Sequence, residues 1–227
     1  MTDLSWKDDR TPLSVQFDDI YYADEDGLAE ARYIFIEGTD LCGQLSSRGR
    51  LQVAELGFGT GLNFLATVDY LQKLPDHEIS LHFFSVEKFP LSKDQIRRAL
   101  SRWPEIDSLT SKMLAQYQPD TEGWTKVHIS ESIQLHLWIG DVIDFLKLLP
   151  TKIDAWYLDG FSPRKNPEMW STEVFEGIAR KSAPGSRFST FASAGFVRRG
   201  LESSGFQVQK RPGFGRKRDS LSGHFLR

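Results

Sequence analysis

The chain has a single cysteine, Cys42, among 227 residues. One thiol cannot form an internal disulfide and is too few for a thiolate zinc site. Cys42 therefore reads as a small, partly buried side chain in a reducing compartment. No stretch approaches the roughly 20 consecutive apolar residues that a membrane-spanning helix needs. The first residues, Met1 to Arg10, are polar and acidic and lack the basic-then-apolar order of a secretory leader. The expected location is cytoplasmic, and no membrane partner is expected. The five histidines (His77, His82, His128, His136 and His224) show no ligand spacing, so no metal is expected. Internal repeats and low-complexity tracts are missing too. What is left is an ordinary globular balance, 40% hydrophobic and 26% charged, enough for a real core.

Positive charge is scarce except in one place. The net charge is −3, but residues 196–218 hold seven basic side chains (Arg198, Arg199, Lys210, Arg211, Arg216, Lys217 and Arg218) against the single acid Glu202. That window carries +6 and the rest of the chain −9. An acidic body with a basic block suits a face that meets a polyanion, and equally a plain solvated face.

The hydrophobic rhythm changes near residue 49. Before it, aromatic and acidic residues alternate with turn signals, and Tyr33 to Ile36 has the composition of a short strand. Residues 1–48 are expected to form an N-terminal β-hairpin extension, and residues 49–227 a Rossmann-like domain. Strands are expected at 51–56, 81–86, 134–139, 153–158, 187–191, 206–211 and 221–226. Helices are expected at 62–74 (stopping before Pro75), 92–103 with Ser92 as N-cap, 111–117, 142–149, 172–181 and 195–204. Trp103, Trp138 and Trp156 read as core or helix-end aromatics. Alternating strands and helices imply a doubly wound, mainly parallel sheet of seven strands. Residues 212–219 are too short for a crossover helix, so the last two strands should form an antiparallel hairpin. That ending belongs to the class I S-adenosylmethionine-dependent methyltransferase fold rather than to a second βαβ half.

Ligands of open α/β sheets sit at the carboxyl ends of the strands. Gly57-Phe58-Gly59-Thr60-Gly61 follows the first strand of the domain and precedes a helix, where glycines permit a tight turn and close approach of a ligand to backbone. By itself this is either a strand-to-helix turn or a nucleotide site. Glu87, followed by Lys88, closes the next strand. Asp141 closes the third and Asp159 the fourth. Three acids on one sheet edge describe a nucleoside pocket: Glu87 for ribose hydroxyls, Asp141 for an adenine amino group, with Glu55, Thr60 and Asn63 as further polar candidates. A nicotinamide cofactor on a Rossmann oxidoreductase remains open, although Gly57 to Gly61 is shorter than the G-x-G-x-x-G pyrophosphate fingerprint.

Four stretches carry a resemblance: Glu55 to Asn63, Leu158 to Trp170 (with Asp159-Gly-Phe-Ser-Pro163), Thr190 to Leu201, and Lys210 to Arg218. Phe17-Asp-Asp-Ile-Tyr21 and Gly27-Leu28 agree with them. Over nearly its whole length the chain resembles the methyltransferase part of the bacterial tRNA 5-methylaminomethyl-2-thiouridine biosynthesis family. The resemblance implies S-adenosyl-L-methionine as cofactor and N-methylation of 5-aminomethyl-2-thiouridine at the tRNA wobble position. It implies that Asp159 orients the amine and Phe161 stacks on the base, while Lys165 and the basic block hold anticodon stem-loop phosphates. It further implies a flavin-dependent oxidoreductase, fused or acting in trans. With no second glycine fingerprint, no FAD is expected here. Another RNA, or a small-molecule amine, stands as the alternative substrate.

Overall fold

The computed structural model describes residues 3–74 and 79–227. Pro75 and His77 lie outside the described residues. Strands β1 (Leu4–Lys7), β2 (Thr11–Ser14) and β3 (Asp19–Ile20) form a small antiparallel sheet. Helices α1 (Gly27–Ala31) and α2 (Leu41–Arg48) then lead into the main body.

The main sheet is built from β4 (Leu51–Leu56), β5 (Leu81–Glu87), β6 (Gly123–His128), β7 (Ile133–Ile139), β8 (Ile153–Leu158), β9 (Ser182–Thr190), β10 (Phe206–Pro212) and β11 (Asp219–Phe225). Its order is β10-β11-β9-β8-β4-β5-β7-β6. The five strands β9-β8-β4-β5-β7 run parallel. β11 inserts antiparallel between β9 and β10, so the C-terminal hairpin is the expected one. The sheet has one strand more than the sequence suggests. β6 pairs antiparallel with β7 across the short turn between them. Its alternating Trp124, Lys126 and His128 dilute the apolar signal, as befits a strand at the edge.

Helices α3 (Leu62–Gln72), α4 (Lys93–Leu100), α5 (Asp107–Gln116), α6 (Val142–Leu148), α7 (Thr172–Lys181) and α8 (Gly195–Ser203) cover the two faces. Ser92 caps α4, as its sequence predicts, and Gln95 completes a reciprocal capping box with it. Successive strand residues point to opposite sides. Val53, Phe83, Ala155 and Tyr157 enter the cluster under α1, α3, α4 and α5. Ala54, Phe84, Trp156 and Leu158 enter the cluster under α6, α7 and α8. Burial on both faces explains why β8 is buried at every position.

One expected strand is a helix. Residues Arg32–Glu37 continue α1 as a π-helical turn. Asp26 caps α1 by accepting from the Leu28 and Ala29 amides, which starts the helix upstream. Ile34, Phe35 and Ile36 are all buried, and a fully buried run loses the periodicity that separates helix from strand. Leu28, Ile34, Ile36, Leu41 and Leu45 share one cluster with Val53 and Leu65, so residues before position 49 help to build the core on that face of the main sheet.

Candidate active site

Chain order runs outward from β4 through β5 to β7, then returns to β8 beside β4. The strand order therefore reverses between β4 and β8, and a crevice opens at their carboxyl ends. A cavity of about 710 Å³ occupies it, within the usual range of small-molecule sites, about 300–1,000 Å³.

The glycine turn forms its floor. Gly57 has φ +98°, and a Cβ there would meet the Asp159 carbonyl oxygen at 2.7 Å. Only glycine lets the ends of β4 and β8 approach so closely. The Gly59 amide donates to Glu87 Oε2 at 2.9 Å, and the Phe89 amide donates to Oε1 at 2.8 Å. Each carboxylate oxygen keeps a second lone pair for a ligand. Burial pushes the Glu87 carboxyl up, against the pull of these amides.

Asn63, on the first turn of α3, joins two acids. Its Nδ2 donates to Glu55 Oε1 at 2.9 Å and to Asp159 Oδ2 at 2.6 Å. Ser85 Oγ donates to Glu55 Oε2 at 2.6 Å. Glu55 is 0% exposed, with both oxygens bonded inside the core, so it stands behind the chamber wall and braces Asn63. Asp159 faces the chamber itself. Burial holds both carboxyls well above the ordinary range, and in Glu55 the Asp159 charge adds to the effect.

Asp141 caps α6 through the Ile143 amide at 2.9 Å and pairs with Lys88 at 3.0 Å. Burial opposes its ionisation, but the Ile143 amide and Lys88 win, and its carboxyl sits below the ordinary value. Gly57, Gly59, Thr60, Asn63, Glu87, Lys88, Asp141, Asp159, Phe161 and Lys165 thus line one chamber. Gly61 packs instead near Phe58 and Met113. The acid at the end of β5, the close backbone at Gly57 and the acid at the end of β7 fit a nucleoside cofactor.

The opposite wall comes from the N-terminal segment, whose part in the site the chemistry of single residues did not disclose. Phe17 stacks on Phe161 with centroids 4.7 Å apart, and Tyr21 meets the same ring edge-on at 5.1 Å. Asp19 Oδ2 accepts from the Ser162 amide at 2.9 Å. Lys165 turns to Asp18 and Asp19, not outward. The signal available for this wall was the acid-aromatic run Phe17 to Tyr21.

Five of the seven basic residues lie on the β10–β11 hairpin, whose loop emerges at the carboxyl edge of the sheet beside the chamber. Arg216 pairs with Glu25 at 3.5 Å, Lys210 with Asp219 at 3.1 Å, and Arg211 packs on the Tyr33 ring at 4.9 Å. Lys217 points into the chamber and donates to Glu30 Oε1 at 2.7 Å. Arg218 is exposed on the same loop. Arg198 and Arg199 sit apart on α8, where Arg198 pairs with Glu202 at 3.2 Å and Arg199 flanks the α7–α8 groove. Away from the chamber, His82 and His136 come together on the sheet, ring nitrogens 3.0 Å apart. No helix among the described residues is long and apolar enough to cross a membrane.

Residues 104–225 match a family model described as S-adenosyl-L-methionine-dependent methyltransferase. Among curated relatives, the tRNA 5-methylaminomethyl-2-thiouridine biosynthesis bifunctional protein of Ectopseudomonas mendocina is 45% identical over 226 residues, covering 98% of this chain and 34% of that protein. The proteins of the same name from Aeromonas salmonicida and Leptospira borgpetersenii are 42% and 46% identical, covering 97% and 98% of this chain and 35% and 34% of theirs. The chain thus spans about a third of the length of these relatives. The crystal structure of MNMC2 from Aquifex aeolicus has the same fold, with a TM-score of 0.77 at 21% identity, covering 98% of this chain and 70% of that one.

Proposed function

The chain belongs to the S-adenosyl-L-methionine-dependent methyltransferase family, and from that footing we propose that it methylates the primary amine of 5-aminomethyl-2-thiouridine at the tRNA wobble position. The observation that carries the proposal is Asp159. It stands at the switch point, held by Asn63 at 2.6 Å, in one chamber with Glu87 and an aromatic wall. The names of the relatives supply the substrate, and their bifunctional character suggests an oxidoreductase that makes the amine, fused or in trans.

When bound, S-adenosylmethionine supplies an electrophilic methyl group on a sulfonium centre. Glu87 would take the ribose hydroxyls, Asp141 the adenine amino group, and the Gly57–Gly61 turn with Thr60 the polar end. The remaining work falls on the chain. An alkyl ammonium has a pKa near 10, like lysine, and attacks only when neutral. An ordinary carboxylate is too weak a base to help. Asp159, held by Asn63 at 2.6 Å, orients the amine and offsets the positive charge that develops on nitrogen, and water takes the proton. Holding nucleophile and methyl group in line accounts for much of such a rate. Phe161 would stack on the base, which must be splayed out of the anticodon loop.

The test is mass analysis of nucleosides after incubating the protein and cofactor with tRNA that carries the aminomethyl group. Conversion to the methylaminomethyl nucleoside is expected. Cofactor binding without conversion would point to another RNA or a small amine.

A further inference from the structure

Glu30 and Lys217 form an ion pair inside the chamber that the assignments above leave unused. Glu30 lies on α1, and its side chain is 10% exposed. Its Oε2 accepts from the Ala23 amide at 2.8 Å, and its Oε1 accepts from Lys217 Nζ at 2.7 Å. The Lys217 ammonium also sits 4.3 Å from the centre of the Phe191 ring. A buried carboxylate with an aromatic face beside it is a receptor for an ammonium group. Glu30, Phe191 and Lys217 line the same chamber as Asp159, and the Asp159 carboxyl feels the charge of both Glu30 and Lys217.

We propose that Glu30 and Phe191 form an alkylammonium subsite, which Lys217 fills until the substrate amine takes its place. The subsite rests on the function proposed above and adds to it how the amine is recognised. The substrate arrives as a primary ammonium, the same group that Lys217 presents. A carboxylate this buried needs a cation beside it, so Lys217 can leave only as another cation enters. Lys217 belongs to the loop of Arg216 and Arg218, which has phosphates to meet when RNA docks. Its side chain is 41% exposed, so it has a path outward. Of the other cations nearby, Lys165 is held by Asp18 and Asp19, and Arg216 reaches outward to Glu25 at the surface. The exchange favours an amine that arrives on RNA over a free amine, because RNA phosphates help to draw Lys217 away while a free ammonium must displace it unaided.

Two variants test this with the cofactor product S-adenosylhomocysteine present, by calorimetric binding of 5-aminomethyl-2-thiouridine nucleoside. The neutral 5-hydroxymethyl analogue is the control. Lys217→Gln removes the competitor and should tighten the aminomethyl nucleoside about tenfold, while Glu30→Gln should weaken it about tenfold. The hydroxymethyl analogue should move in neither. In turnover, Glu30→Gln should raise KM for aminomethyl-bearing tRNA and leave the affinity for unmodified tRNA in place. Equal effects on both nucleosides, or a Lys217→Gln protein that binds the amine no better, would overturn the subsite and leave a structural strap. A wild-type protein that binds cofactor but methylates no aminomethyl tRNA overturns the proposed function and the subsite together. Normal wild-type methylation with unmoved nucleoside affinities in the variants overturns the subsite alone.

Discussion

Phe17 lies stacked on Phe161, ring centroids 4.7 Å apart and planes 28° apart. One face of the Phe161 ring is thus covered by a ring of the N-terminal segment. A base that stacks there must displace Phe17, at the expense of an aromatic contact worth about 0.5–1.5 kcal/mol. The two phenylalanines should therefore respond oppositely. Phe17→Ala is expected to lower KM for tRNA about two- to tenfold. Phe161→Ala is expected to raise it about tenfold, in line with about 1–3 kcal/mol for a stacked base. Steady-state kinetics on aminomethyl-bearing tRNA decides, and a rise of KM in both variants would contradict the displacement.

Asp159 is expected to act in the chemical step rather than in cofactor binding. Asp159→Asn keeps an oxygen for Asn63 but removes the ionisable group. Its kcat should fall about 100-fold, the scale of losing one electrostatic stabiliser of the transition state. Calorimetric affinity for S-adenosylmethionine should stay within about threefold of wild type. Undiminished turnover would remove Asp159 from the chemistry.

These roles were unequally legible in the sequence. The strand ends were plain, because Gly57 to Gly61 and the acids Glu87, Asp141 and Asp159 each follow a short apolar run. The parallel order and the antiparallel hairpin followed from spacing alone. The helical turn at Arg32–Glu37 was not legible, because three buried side chains in a row carry no period. β6 was hidden by its polar alternation at the sheet edge. Charge misled in another way. Lys217 and Arg216 count as basic in any window, yet Glu30 and Glu25 from the other end of the chain engage them, and local sequence does not report long-range pairing. Glu55 is a similar case. The motif places it beside the glycine turn, while the direction of its side chain into the core depends on Asn63 and Ser85.

Glu55 also makes a pH-dependent contribution to stability. Burial raises its carboxyl well above the usual value, so the folded protein keeps a proton that the unfolded chain gives up near pH 4. Its stabilisation is present in full below that pH and is lost as pH rises toward the folded-state pKa. The loss proceeds at up to about 1.4 kcal/mol per pH unit. Glu55→Gln has nearly the same shape and no charge to lose. Denaturant unfolding from pH 5 to 8 should show wild type weakening with pH and the variant following a flatter line. Parallel lines would mean that Glu55 is ionised in the fold.

Glu87 should divide the other way from Asp159. Its oxygens are fixed by the Gly59 and Phe89 amides, which presents the remaining lone pairs to the cofactor ribose. Glu87→Ala should weaken S-adenosylmethionine by about 1.5–3 kcal/mol, the range for hydrogen bonds to a charged group, or about ten- to a hundredfold in Kd. Equilibrium binding reads this directly, and an unchanged Kd would move the ribose elsewhere in the chamber.

Arg216 offers the cleanest test of the polyanion face, since its side chain is 95% exposed and pairs with Glu25 at 3.5 Å. Exposed pairs of this kind hold weakly, about 0–1 kcal/mol, so Arg216 is free to turn to a phosphate. Lost phosphate contacts weaken RNA binding at low salt and flatten its dependence on salt. Arg216→Glu should therefore raise the Kd for tRNA and reduce the slope of log K against log salt by about one. The affinity for S-adenosylmethionine, bound deeper at Glu87 and Asp141, should not change. A salt slope identical to wild type would place the tRNA backbone away from the β10–β11 loop and leave its charges as solvated surface.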